Sequence, residues 1–99
     1  VVLVAILWRY EVRSEHRAAF EASYGPAGEW SRLFARSADF RGTELLRGDD
    51  HYLTIDRWES KEAFAAFMAD HEADYRDLDS RTEGWTRSEM RVGEFATVD

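Results

Sequence analysis

The chain has 99 residues, of which 44% are apolar and 14% aromatic, and it contains a single proline. This size and composition predict one packed globular domain over residues 1–99 and argue against a disordered segment. A net charge of −7 with scattered arginines would repel a phosphate backbone, so we predict no nucleic-acid partner. The lack of cysteine excludes disulfides and thiolate metal sites.

The first predicted element is a strand over residues 1–12. Both alternating sets of its side chains are apolar at first, so we expect both of its faces to be covered. Residues 1–7 are too few to span a bilayer, and they lack the basic flank and cleavage site of a signal peptide. We therefore predict a cytoplasmic protein that has no membrane partner.

Two helical segments follow the first strand. Ser14 is a predicted N-cap, Glu15 suits the first turn, and Gly25-Pro26 should end the helix. The second segment runs from about Gly28 to near Ser37, and one apolar stripe contains Trp30, Leu33 and Phe34.

A hairpin and a longer helix make up the middle of the chain. Residues 40–47 and 51–59 predict two antiparallel strands joined by Gly48-Asp49-Asp50. Ser60 should cap the next helix, whose apolar stripe recurs every three or four residues at Phe64, Phe67, Met68, His71, Tyr75 and Leu78. Residues 86–98 alternate loosely and predict a last strand.

The order strand, helix, strand, strand, helix, strand predicts an α+β, ferredoxin-like βαββαβ fold. A four-stranded antiparallel sheet would then carry both helical segments on one face. The opposite face would hold Leu3, Ala5, Leu7, Leu53 and Ile55. Because an exposed apolar sheet face usually marks a partner surface, we predict a homodimer that packs sheet to sheet.

Three short segments give this pattern a family resemblance: Val12-Arg13-Ser14-Glu15, Phe40-Arg41-Gly42-Thr43 and, most specifically, Trp58-Glu59-Ser60-Lys61-Glu62-Ala63-Phe64. With them, the chain resembles the antibiotic biosynthesis monooxygenase (ABM) family of dimeric α+β barrels. The resemblance implies small enzymes that convert phenolic polyketides to quinones with molecular oxygen, without a metal or flavin cofactor. Other relatives in the family degrade haem.

The family resemblance also implies a pocket with an asparagine and a tryptophan on strand three, a tyrosine on the last helix and a downstream arginine. Trp58 matches the tryptophan and Arg76 is the counterpart of the arginine, whereas Thr54 replaces the asparagine and Phe64 replaces the tyrosine. The haem-degrading branch is less similar. Its strand-one asparagine and last-helix tryptophan are replaced by Trp8 and Phe67, and His71 is out of register with its histidine.

Strand three places Tyr52, Thr54, Asp56 and Trp58 on one side, which the resemblance places under the helices. Such a row suits a pocket that stacks a flat aromatic ligand and hydrogen-bonds it through Thr54 and Asp56. The alternative is structural: Trp58 would join strand to helix, and Asp56 would pair with an arginine.

Two further residues have a catalytic and a structural interpretation. His71 could take a phenolic proton, or it could be a core histidine bonded to backbone or water. Arg76 could stabilise a phenolate or peroxide, or it could pair with Glu72 on the helix surface. Further candidate cavity walls, each also a candidate core residue, are Trp8, Tyr10, Trp30, Phe34, Phe67 and Tyr75.

These residues predict a cofactor-free monooxygenase that acts on a small aromatic or polyketide-like substrate with molecular oxygen. The catalytic candidates are His71, Asp56 and Arg76. The substrate contacts are Trp58, Thr54, Phe64, Phe67, Tyr75, Trp8 and Trp30, and no metal site is predicted. The alternative is a non-catalytic small-molecule-binding or stress-response protein, and a haem-binding relative is the least favoured.

Overall fold

A computed structural model describes residues 2–98, so Val1, at the start of the predicted first strand, lies outside the described residues. The elements, in chain order, are β1 (Val4–Val12), a 3-10 turn (Ser14–His16), α1 (Arg17–Tyr24), α2 (Glu29–Phe34), β2 (Phe40–Arg47), β3 (Tyr52–Trp58), α3 (Lys61–Asp70), α4 (Glu72–Thr82), a 3-10 turn (Glu83–Trp85) and β4 (Thr86–Ala96). The predicted α+β, ferredoxin-like fold is confirmed.

The four strands form one antiparallel sheet in the order β2-β3-β1-β4. The predicted hairpin between β2 and β3 is present, and Gly48 N donates to His51 O at 2.7 Å. In β2, the pairing register shifts between Phe40 and Gly42, where Gly42 has a φ of 109°. A residue with a Cβ would be strained in this conformation, so glycine permits the bulge.

The helices cover the sheet face that carries Tyr52, Thr54 and Trp58, as the alternation in β3 and the family resemblance together predict. These three residues are buried, whereas their neighbours Leu53 and Ile55 are only half-buried. The side chains that the helices contribute to this core are largely aromatic: Phe20, Tyr24, Trp30, Phe34 and Phe67. Burial of rings of this size supplies much of the hydrophobic free energy available to so short a chain.

The start of the first helix differs from the expectation. Ser14 does not cap α1, because residues 14–16 tighten into a 3-10 turn and α1 begins only at Arg17. The end is as predicted, at Gly25 before the proline. Gly28 is then required, because a Cβ there would lie 2.2 Å from the carbonyl oxygen of Ser23.

The predicted long helix is in fact two helices. Ser60 caps α3 as expected, and its hydroxyl accepts a hydrogen bond from Ala63 N at 3.1 Å. At His71 the backbone leaves the helical conformation, with φ −124° and ψ 26°, and α4 begins at the next residue. The stripe is therefore divided, with Phe64 and Phe67 on α3 and Tyr75 and Leu78 on α4.

The other sheet face has apolar residues at its centre, and it also carries Arg9 and the Arg57–Glu44 ion pair. Leu7 lies opposite Ile55 in the β1–β3 pair, and Leu46 lies opposite Leu53 in the β2–β3 pair. On β4, three apolar side chains are about half exposed: Met90, Val92 and Phe95. Within residues 2–98, none of the helices is both long enough and apolar enough to cross a membrane.

Candidate functional site

A cavity of about 70 Å³ lies between the sheet and the helices. A single water needs roughly 10–15 Å³ by the same kind of measure, so this space can hold several waters or part of a small organic molecule. Its aromatic walls come from both layers: Trp8, Tyr10, Tyr24, Trp30, Phe34, Phe64 and Tyr75. Its polar lining consists of Thr43, Thr54, Asp56, Asp79, Glu89 and Arg91.

Asp56 is the carboxyl group set deepest in this lining. It lies in the middle of β3, paired with Ile6 on one side and Thr43 on the other. The Thr43 hydroxyl donates to Asp56 Oδ1 at 2.6 Å, so threonine and not arginine is its hydrogen-bond partner. Burial raises the pKa of Asp56 to about 6, and the bond from Thr43 opposes that rise. Asp56 can therefore change protonation state near neutral pH.

Thr54 is the next residue of β3 on the same face. Its hydroxyl is hydrogen-bonded to the Tyr10 hydroxyl across the β1–β3 pair at 3.0 Å. Burial raises the pKa of Tyr10 well above its usual value, so this phenol stays neutral. The pair thus forms a neutral polar surface beside Trp8, which is paired with Thr54 in the sheet.

The side of the cavity nearest β4 and α4 is charged and more open. Glu89 and Arg91 on β4 are exposed, and Asp79 on α4 is half-buried. Partial burial and the neighbouring charge of Asp79 raise the pKa of Glu89, against a hydrogen bond from Thr86. Burial, with the negative charges of Asp79, Asp56 and Glu89, also raises the pKa of Tyr75 to about 12.

Six of the predicted site residues line the cavity: Asp56, Thr54, Phe64, Tyr75, Trp8 and Trp30. The prediction missed Thr43, Tyr24, Asp79, Glu89 and Arg91. Glu89 and Arg91 could have been found from strand pairing, because they lie opposite Tyr10 and Trp8. The sequence alone does not give that register.

Trp58 does not stand at the mouth of the cavity, and Phe67 does not line it. The indole is completely buried, and four phenylalanine rings surround it at centroid distances of 5.1 to 5.5 Å: Phe34, Phe40, Phe64 and Phe67. The structural alternative for Trp58 describes this arrangement, because the indole joins β3 to α2 and α3.

His71 and Arg76 lie away from the cavity lining. His71 occupies the bend between α3 and α4, with its ring 4.8 Å from that of Phe67. Arg76 is 78% exposed and its guanidinium lies 2.6 Å from Glu72, the surface pair that was the alternative for this residue. An exposed pair of this kind contributes at most about 1 kcal/mol to stability.

The lining offers carboxylates but no imidazole. Among the described residues, no histidine lines the cavity, so the cavity has no imidazole to ligate a haem iron. Across residues 2–98, no three histidine or acidic side chains are grouped in a way that could hold a metal ion.

A second concavity, between α2 and α4, is larger but is a surface groove. Its volume is about 250 Å³ and its lining is mostly charged. The charges are paired with one another, with Arg36 2.5 Å from Asp74 and Arg81 3.1 Å from Glu29. These ion pairs leave few groups available to a ligand, so the sheet–helix cavity is the better candidate.

Comparison with known protein families finds one family whose sequence pattern this chain matches. The family described as antibiotic biosynthesis monooxygenase matches residues 3–73, which covers β1 through the start of α4. A comparison with curated protein sequences found no match.

Solved structures share the fold. SnoaB from Streptomyces nogalater, a cofactor-independent oxygenase, is 18% identical with a TM-score of 0.67, over 100% of this chain and 94% of that one. A Bordetella bronchiseptica protein provisionally assigned as an antibiotic biosynthesis monooxygenase is 16% identical with a TM-score of 0.73, over 100% and 98%. Rv0793 from Mycobacterium tuberculosis is 14% identical with a TM-score of 0.63, over 98% and 94%. At these identities the similarity establishes the fold.

Proposed function

This chain belongs to the antibiotic biosynthesis monooxygenase family, and from that premise we propose that it is a cofactor-independent oxygenase acting on a small aromatic or polyketide-like substrate. The observation that carries the proposal is Asp56, a carboxyl with a pKa of about 6 in an aromatic cavity. Titratable groups with shifted pKa values in a cavity are typical of catalytic sites. The similarity to SnoaB, a cofactor-independent oxygenase, supports the same reaction class.

Asp56 acts as the general base in this proposal. A group with a pKa of about 6 is roughly nine-tenths ionised at pH 7, so most molecules have a carboxylate ready to accept a proton. Its Oδ1 is held by the Thr43 hydroxyl, which fixes the direction of the carboxylate. Proton transfer to a positioned carboxylate typically contributes about 10² to 10⁴ to a rate.

The reaction then needs only the substrate and molecular oxygen. Removal of a phenolic proton makes the ring electron-rich enough to pass an electron to O₂, and the two radicals combine into a carbon-bound peroxide. Asp56 returns the proton to the peroxide, and loss of water then leaves a carbonyl. Counted from the keto tautomer of the phenol, in which the reacting ring carbon is CH₂, CH₂ and O₂ become C=O and H₂O, so the carbon loses four electrons and oxygen gains four.

The cavity walls supply orientation. Trp8, Trp30 and Phe64 present ring faces and edges against which a flat substrate can pack. The paired hydroxyls of Thr54 and Tyr10 offer a neutral hydrogen-bonding surface near the substrate. The positions of His71 and Arg76 do not support catalytic roles for them, so base chemistry is assigned to Asp56 alone.

A second copy of the chain is part of the proposal. The open sheet face carries Leu7, Leu53 and Ile55, and Met90 and Phe95 beside them are about half exposed. A homodimer that packs these faces together would bury them and would also cover β4 beside the cavity. Sedimentation at micromolar concentration should give twice the mass of the chain; a stable monomer would contradict the dimer. The cytoplasmic location stays a prediction.

The test of the oxygenase compares aerobic and anaerobic incubation with a panel of anthrone-like phenols. We expect quinone formation only with oxygen, and a rate at least about 100-fold lower in Asp56→Asn. Asp70→Asn, at an exposed position on α3, makes the same chemical change outside the cavity and should leave the rate unchanged. Equal product without oxygen, or full activity in Asp56→Asn, would overturn the proposal.

A non-catalytic binding protein is the second candidate, and a specific observation favours it. Thr54 stands where the family resemblance places an asparagine, and its hydroxyl is already bonded to Tyr10. Phe64 stands where it places a tyrosine and brings no polar group. A small molecule recovered from the purified protein and unchanged after exposure to air would support this candidate over the oxygenase.

A further inference from the structure

The cavity carries acidic groups at two separate places. Asp56 on β3 lies opposite Ile6, whereas Glu89 on β4 lies opposite Tyr10. Two strand spacings and four residues of β1 separate them, so their Cα atoms are roughly 17 Å apart. Asp56 is set among half-buried and buried side chains, and Glu89 is exposed at the other side.

The charges around the cavity do not balance. Three carboxyl groups, Asp56, Asp79 and Glu89, line it against one guanidinium, that of Arg91. Arg91 is also directed partly to Glu94, with 3.7 Å between their charged atoms, and 47% of its side chain is exposed. The side facing β4 and α4 therefore presents an acidic surface with a partly engaged cation.

The negative charges of the lining also act on three buried tyrosines. The pKa values of Tyr10, Tyr24 and Tyr75 are raised first by burial and also by the lining carboxylates, with Glu89 acting on all three. With three carboxyl groups against one partly engaged guanidinium, the lining favours a cation over an anion.

We propose that the substrate of this cavity is an amine-bearing phenol, whose protonated nitrogen is bound by Glu89 and Asp79, and that the cavity discriminates against phenols carrying a carboxylate. This rests on the proposed function for the choice of cavity and deepens it by naming the substrate class. The ring lies among Trp8, Trp30 and Phe64, which line the cavity.

The test uses three phenols that differ only at the end of the side chain: tyramine, tyrosol and 4-hydroxyphenylacetate. At pH 7.5 these carry a cation, a neutral hydroxyl and an anion. Calorimetric titration under anaerobic conditions measures binding without turnover. We expect tyramine to bind about tenfold more tightly than 4-hydroxyphenylacetate, with tyrosol between them.

Glu89→Gln measures how much the negative charge of Glu89 contributes to the preference for a cationic ligand. It keeps the size of an exposed side chain, so the fold should be unaffected, and it should reduce the preference of the cavity for tyramine over 4-hydroxyphenylacetate to about twofold. Glu62→Gln is the matched control. It removes the same charge from an exposed position on α3 outside the cavity lining, and it should keep the full preference.

Equal affinities for tyramine and 4-hydroxyphenylacetate, tighter binding of the anion, or no binding of tyramine at millimolar concentration would overturn this inference. A preference that survives in Glu89→Gln would overturn the role of Glu89. These outcomes are independent of turnover. Oxygen-dependent product from neutral phenols without an amine preference would leave the oxygenase standing, and an amine preference without oxygen-dependent product would favour the binding protein.

Discussion

Trp58 and Asp56 are only two residues apart on the same face of β3, but the surroundings of the two side chains differ in polarity and in packing. Around Trp58 the interior is dry ring packing, with Phe34, Phe40, Phe64 and Phe67 in contact with the indole. Around Asp56 it is a polar cavity. The helices account for the difference, because α3 places phenylalanines over Trp58, whereas α4, after the bend at His71, brings Tyr75 and Asp79 to the cavity.

The comparison teaches that alternation along a strand tells which side chains face the helices but not what they meet there. Trp58 and Asp56 both face the helical layer, as the pattern predicts. One of them is a core residue and the other is a candidate base. The predictions below separate the two regions by what each variant changes.

The largest expected effect is on stability, from Trp58→Ala. Removing a fully buried aromatic side chain typically costs about 3–5 kcal/mol, a large part of the stability of a domain this size. Trp8→Ala should cost less than about 2 kcal/mol, because Trp8 is half-buried and already borders the cavity, but it should weaken ligand binding. Urea unfolding followed by circular dichroism measures both.

Trp58→Phe serves as the milder variant. It keeps a ring in the cluster and removes the indole Nε1, which is buried without a hydrogen-bond partner in the described residues. Its loss of stability should therefore be well below that of Trp58→Ala. If Trp58→Ala unfolded with the same midpoint as the unmodified protein, the indole could not be the packed core residue described here.

The second effect is the pH dependence of stability caused by Asp56. Its pKa rises from an ordinary 3.8 to about 6 on folding, so the folded protein holds this proton more tightly than the unfolded chain. Well below pH 4, both states are protonated and the carboxyl has no effect on stability. As the pH rises through 4 and then 6, the unfolded chain loses its proton first, and stability has fallen by about 3 kcal/mol once the pH exceeds both pKa values.

Asp56→Asn removes that dependence. Between pH 4 and pH 7, its stability relative to the unmodified protein should rise by about 2 kcal/mol, whatever the constant cost of the amide, because the unfolded chain is already partly ionised at pH 4. Denaturation midpoints at a series of pH values test this, with Asp70→Asn as the control for the same chemical change at an exposed position. A flat difference for Asp56→Asn would mean that the carboxyl is not buried in the folded state.

The smallest expected effect is that of Arg76→Gln. The arginine is 78% exposed and paired with Glu72 one helical turn away, so its loss should change stability by less than about 0.5 kcal/mol. Turnover should also stay the same, in contrast to Asp56→Asn. A large fall in turnover for Arg76→Gln would restore the catalytic role that the family resemblance implies for this residue.

Much of the fold could be predicted from residue patterns. The bounds of β2, the Ser60 cap and the end of α1 at Gly25-Pro26 follow from local stereochemistry, which a short segment carries by itself. The start of α1 and the break at His71 could not be predicted in this way. No proline or glycine marks that break, and the helical stripe continues through it.

The candidate site was partly predictable for a related reason. Asp56 and Thr54 could be placed on one side of β3 because strand alternation is local, and the family resemblance placed that side under the helices. Glu89 and Arg91 needed the register between β4 and β1, which contains a shift between Leu7 and Trp8. His71 was predicted because it lies on the apolar helical stripe, and Arg76 because it corresponds to an arginine of the family; neither observation gives the direction of α4.

The sequence by itself determined the order of elements, the helix-facing side of each strand and the family, because these depend on local periodicity and short motifs. Only the tertiary structure decided that Trp58 is core and that Asp56 borders a cavity with Asp79 and Glu89. Burial and charge at a point depend on groups brought together from distant parts of the chain. The pKa of Asp56 is therefore a property of the packed molecule and not of any segment.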